Sequence, residues 1–125
     1  MEPSAETLAS STIRPGASVL TLVNVFTVAP ENQGRLVEGL ARATEEVIRQ
    51  QPGFISANFH RSLDGTRVVN YAQWESREAL ETMLGRPEVQ AHLQEAQAIA
   101  TFQPIICEVV SVHHAQNRPD RAAAS

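Results

Sequence analysis

SLDGTRVVNYAQWES, residues 62–76, is the stretch on which the fold turns. Asp64-Gly65 lies between two runs rich in β-branched and aromatic residues. Asp-Gly in that setting is a strong hairpin signal, because glycine supplies the positive φ of a tight reversal. RVVNYAQWE (67–75) therefore reads as a strand, and FISANFHRS (54–62) as its partner. Valine, tyrosine and tryptophan suit a pleated, half-buried surface. Asn70 does not, yet it shares a face with Trp74, since strand side chains repeat every two residues.

Working outward, SVLTLVNVFTVA (18–29) predicts a first strand, ended by Pro30. GRLVEGLARATEEVIRQ (34–50) sets Leu36, Leu40, Ala43 and Val47 on one helical stripe, and Gln51-Pro52-Gly53 stops it. Ser76 is the predicted N-cap of a helix carrying Ala79, Leu80 and Met83, and Gly85 with Pro87 breaks it. Val89, Leu93, Ala96 and Ala100 continue at helical spacing, and Pro104 is expected to open a last strand, IICEVVSVH (105–113). The order βαββαβ, with a split second helix, is an α+β, ferredoxin-like plan. Residues 18–113 form this domain; 1–17 and 114–125 are small and polar and read as flexible arms.

At 125 residues the chain is one domain, and a net charge of −4 argues against nucleic acid, which demands a basic face. Glu2 and Glu6 without an apolar core exclude a signal peptide, and no apolar run approaches the ~20 residues of a membrane span, so a cytoplasmic protein is expected. The single cysteine, Cys107, excludes an internal disulfide and reads as a buried core thiol. There is no phosphate loop, Rossmann or Walker pattern, nucleophile elbow or iron-binding triad, and His113-His114 lacks further ligands. An enzyme of this sequence is expected to need neither a nucleotide cofactor nor a tightly bound metal.

Asn24 interrupts TLVNVFT as Asn70 interrupts VVNYAQW, on a face otherwise built of Leu20, Leu22, Phe26 and Val28. A buried amide without partners costs about 1–3 kcal/mol, so each either bonds neighbouring backbone or water, or faces a cavity with a polar guest. His60 is either an acid–base group or a solvated strand end, and Glu108 either a base or a rim residue. The first strand is apolar on both faces, with Val19, Val23 and Val25 opposite the Leu20 side. Helices cover one face of a sheet, so the other is expected to pack against a second copy in a two-fold dimer.

With QPGFISANFH (51–60) before it, SLDGTRVVNYAQWES resembles the antibiotic biosynthesis monooxygenase family of dimeric α/β barrels, over roughly residues 18–113. The likeness lies with the quinone-forming anthrone monooxygenases of bacterial aromatic polyketide pathways. It implies a homodimer that oxidises an anthrone-type polyketide intermediate to a quinone with O2 and no flavin, haem or metal. It implies catalytic roles for Asn24, Asn70 and Trp74, after the nogalamycin type, and for His60, after the actinorhodin type. Phe26, Ala72 and Leu80 are then expected against the substrate, with Leu80 where the actinorhodin type has tyrosine and Gln94 near the place of its arginine. The haem-degrading branch needs a histidine on the helix after the third strand, and 78–84 has none. Two other readings fit the same barrel: an aromatic polyketide cyclase or isomerase, and a non-catalytic small-molecule binding dimer.

Overall fold

The computed structural model describes residues 9–16 and 18–116. The hairpin forms where the sequence sets it. Gly65 takes φ 83°, and the Asp64 carboxylate accepts from the Thr66 N–H at 3.0 Å, Thr66 Oγ1 at 2.7 Å and Ser62 Oγ at 2.8 Å. It joins β2 (Phe54–Arg61) to β3 (Arg67–Trp74). On the far side of β3 lies β1 (Leu20–Val28), and beyond that β4 (Ala100–Cys107). The sheet order is β2-β3-β1-β4, antiparallel throughout. Three helices supply the second layer: α1 (Gln33–Glu46), α2 (Arg77–Leu84) and α3 (Pro87–Gln97). The order β1-α1-β2-β3-α2-α3-β4 is the ferredoxin-like plan with its second helix split.

Local chemistry accounts for the breaks. Ser76 Oγ accepts the Ala79 N–H at 3.0 Å, a cap worth about 1 kcal/mol, and Pro87 opens α3 where its missing N–H is no loss. Gly53, at φ 86°, turns the chain from α1 into β2, and its carbonyl accepts the Glu75 N–H at 2.8 Å. A register shift between Phe54 and Ser56 makes Ile55 a bulge, so Phe54 and Ala57 both face the helices.

Four sequence expectations are corrected. α1 ends at Glu46, and Ile48–Gln50 is a separate 3-10 turn after Val47, whose backbone is not helical. Ala100 is not on the helical stripe; α3 stops at Gln97 and Ala100 pairs with Val28. The last strand is Ala100–Cys107 rather than 105–113: Pro104 sits within it, tolerated because β4 is an edge, and past the Thr21–Cys107 pair only Leu20 of β1 remains. Cys107 is free and half-buried instead of a core thiol.

The buried side chains fall into two clusters. Leu22, Ala72, Trp74, Leu80, Met83 and Val89 make one; Phe26, Val28, Leu36, Val68, Ala96 and Ala100 make the other. The opposite face of the sheet carries Val23, Val25, Val69 and Tyr71, half-buried, with Ile55 and Ile105 exposed. Part of the stretch read as an N-terminal arm lies on that face: Ser11 Oγ donates to Asn58 Oδ1 at 2.6 Å, and Gln73 Nε2 to the Thr12 carbonyl at 2.8 Å. Residues 1–8 and 117–125 of the expected arms lie outside the described residues. Among the described residues no helix is long and apolar enough to cross a membrane.

Candidate active site

The seam between the two clusters is where the sheet carries its amides. In the β1–β3 ladder Leu22 stands opposite Ala72 and Phe26 opposite Val68, and these rows belong to different clusters. The row between them pairs Asn24 with Asn70. Directly opposed residues on one face hold their Cβ atoms about 4.5–5.5 Å apart, so the two carboxamides are neighbours. They front a cavity of about 500 Å³ that separates sheet from helices, within the range of small-molecule sites.

The two amides differ in circumstance. Asn70 Oδ1 accepts the backbone N–H of Asn58 at 3.2 Å, which fixes the orientation of its carboxamide and leaves Nδ2 as its remaining polar edge. Asn24 Oδ1 is buried and has no hydrogen-bond partner among the described residues. An orphaned buried acceptor is costly, and one on a cavity wall is an acceptor offered to a guest.

Trp74 closes one end of the cavity, 1% exposed, with the Phe54 ring edge-on at 5.4 Å and 84°. Phe26 and Ala72 line the walls as the sequence suggests, with Phe26 tilted against Phe102 at 5.3 Å. The remaining surface is largely apolar: Leu36, Leu40 and Ala43 from α1, Ile48, and Met83, Val89 and Leu93 from α2 and α3. Thr44 also lines it, but its hydroxyl donates to the Leu40 carbonyl at 2.9 Å inside the helix. The exposed lining residues Arg35, Glu38 and Arg42 on α1 and Glu95 on α3 mark the mouth.

Two expected site residues are elsewhere. His60 pairs with Val69, on the sheet face turned away from the helices; it is exposed, and its Nδ1 lies 3.1 Å from the Asn58 carbonyl oxygen. Leu80 is 2% exposed within the cluster around Trp74 and does not reach the cavity. Glu108 is exposed beyond β4 and borders the hollow between the arm and the outer face. His92 of α3, which lies beyond the 78–84 stretch where the haem-degrading branch has its histidine and so is given no role by the sequence, lines the cavity. Its signal was there, since His92 sits on the same helical stripe as Val89 and Ala96, where an apolar side chain is expected. Among the described residues no group of three His, Cys, Asp or Glu side chains is arranged to hold a metal.

Residues 19–95 match the antibiotic biosynthesis monooxygenase family. Over 99 residues, 79% of this chain and 88% of the relative, the sequence is 48% identical to tetracenomycin F1 monooxygenase of Streptomyces glaucescens. The fold is similar to that of a monooxygenase from the gene ActVA-Orf6 of Streptomyces coelicolor, solved in complex with nanaomycin D. That likeness has 34% identity and a TM-score of 0.67, over 78% of this chain and 92% of that one. It is also similar to SnoaB, a cofactor-independent oxygenase from Streptomyces nogalater, with 27% identity and a TM-score of 0.62 over 82% of this chain and 100% of that one. By its family match and by these relatives, the chain is an enzyme of the antibiotic biosynthesis monooxygenase family.

Proposed function

We propose that this monooxygenase oxidises a flat, phenolic, anthrone-type polyketide intermediate to the quinone with O2, using no metal or organic cofactor. The observation that carries the reading is the opposed pair Asn24 and Asn70 on the wall of an otherwise apolar cavity. Support comes from the relatives as well: one is named for a tetracenomycin substrate, one holds nanaomycin D and one is described as cofactor-independent.

Triplet O2 reacts slowly with closed-shell molecules because electron spin must change. An electron-rich carbanion passes O2 one electron, the radical pair combines to a peroxide, and the protonated peroxide loses water to leave a carbonyl. One oxygen atom ends in the product and one in water, and the substrate itself supplies the electrons. The protein has to favour the deprotonated substrate, hold it flat and keep bulk water out. Asn70 Nδ2 donates to the oxygen that gathers charge, while Asn24 Oδ1 accepts a neighbouring substrate hydroxyl. A hydrogen bond to a charged group contributes about 1.5–3 kcal/mol, or roughly one to two pKa units of the substrate. The Trp74 indole supplies a flat wall against the ring system.

The outer sheet face, with Val23, Val25, Val69, Ile55 and Ile105 unburied by any helix, supports a homodimer formed through that face. The function is tested by aerobic incubation of chelator-treated protein with anthrone, following oxygen and quinone absorbance together. Equimolar loss of O2 and gain of quinone above the uncatalysed rate is expected. Conversion without oxygen uptake, or recovery of unchanged anthrone at the background rate, would refute it.

A further inference from the structure

We propose that His92 is the base that takes the proton the substrate must lose, an inference that rests on the oxidation reading above. The cavity needs such a group and offers few. Its ionisable lining residues among those described are Arg35, Glu38, Arg42, His92 and Glu95. A guanidinium has only donors and no acceptor, and the carboxylates of Glu38 and Glu95 are exposed to water at the mouth rather than set inside the cavity. An imidazole exchanges protons near neutral pH. The side chain of His92 is 29% exposed, on the stripe of α3 that faces the sheet through Val89 and Ala96.

His92 also has an acidic neighbour. Its Nδ1 lies 3.7 Å from Glu95 Oε1, one helical turn on, close enough for the carboxylate to offset the charge of a protonated ring. The proton-accepting role falls to Nε2. Arg35, Glu38 and Arg42 of α1 line the same cavity, so with Glu95 its mouth carries balanced charge. In the step itself the substrate's enol or phenol O–H bond breaks, the proton moves to Nε2, and the electron pair stays on the oxygen that Asn70 bonds. After O2 has added, the same proton is returned to the peroxide. His60, on the other face of the sheet, has no path to this cavity within the subunit.

The test separates proton transfer from oxidation by using 1,8-dihydroxyanthraquinone, a phenolic probe whose visible band shifts when it ionises and which is not oxidised further. Bound to the wild type, it should ionise at least one pH unit below its value in water; bound to His92→Gln with affinity within a few fold, it should lose most of that shift. Oxygen uptake with anthrone at neutral pH should fall about 100-fold or more in the same variant, the scale of a lost general base. Equal ionisation curves in wild type and variant, or wild-type oxygen uptake by His92→Gln, would overturn the proposal. A wild type that ionises the probe through His92 but consumes no oxygen would uphold the proposal and sink the oxidation reading.

Discussion

Replacing either cavity asparagine by leucine should abolish most turnover, yet the two variants should move stability in opposite directions. Leucine has the branched, four-heavy-atom shape of asparagine, and at both positions the cavity has room for its larger methyls. Asn24 Oδ1 is buried without a partner, and leucine removes that unsatisfied acceptor, worth about 1–3 kcal/mol of relief. For a domain of this size each kcal/mol moves Tm by about 4 °C, so Asn24→Leu should melt roughly 4–12 °C higher. Asn70 Oδ1 accepts the Asn58 N–H at 3.2 Å, and leucine leaves that backbone donor stranded. Asn58 is half-buried and water satisfies it in part, so the loss is about 1 kcal/mol and Tm should fall by roughly 4 °C. The assay is a pair of melting curves in ligand-free buffer beside oxygen uptake with anthrone. A higher Tm with lost activity is the signature of a residue kept for function against stability. Asn24→Leu melting at or below the wild type would refute the view that this amide stands unsatisfied until substrate arrives.

Gly53 should not tolerate a side chain: at φ 86° an alanine is strained, and its Cβ would stand 2.5 Å from the Cβ of Ala79, so Gly53→Ala should lose about 2–4 kcal/mol by urea midpoint. The Asp64 carboxyl is held down to about 2 by hydrogen bonds, first from the Thr66 hydroxyl and next from Ser62. A folded-state pKa below the unfolded value of 3.8 stabilises the fold above that value and is lost as pH falls toward 2, so Asp64→Asn should melt lower at pH 7 and match the wild type near pH 2. Val69→Arg, on the outer face away from the cavity, should turn a dimer into a monomer in sedimentation, since a stable interface of about 1,200–2,000 Å² does not absorb an unpaired charge at its centre. A monomeric wild type would refute the dimer.

What was legible in the sequence is what local chemistry dictates. The Asp-Gly turn, the Ser76 cap and the Gly85 and Pro87 break each act over a few residues, and each appears where expected. Period-two alternation set Asn70 and Trp74 on one face, and the cavity has both. The misses are tertiary. Pro104 looks like a strand opener unless β4 is known to be an edge, and the end of β4 depends on where β1 runs out of residues to pair. His60 rested on imidazole chemistry and on the resemblance to the actinorhodin type, neither of which shows the bulge at Ile55 that sends Ser56, Asn58 and His60 to the outer face. His92 has no role in the sequence because it lies beyond 78–84, the place of the haem-ligating histidine, and only the cavity in front of it gives it one.

The divided core explains how so small a domain affords a hole. A continuous core would bury Asn24 and Asn70 against apolar helix side chains; instead the helices stand off at that row and pack on either side of it. The β1–β3 ladder runs unbroken through the gap, so both carboxamides ride on backbone held by pairing above and below. That rigidity is what the proposed chemistry would require, since donors fixed before a charge develops need no rearrangement when it does. On the function proposed above, a flat aromatic guest would do for the seam what side chains do elsewhere: it would cover the apolar walls, satisfy Asn24 Oδ1 and bridge the two clusters. Binding and completion of the fold are one event, and ligand at a hundred times its Kd should add about 2.7 kcal/mol to the stability of the native state.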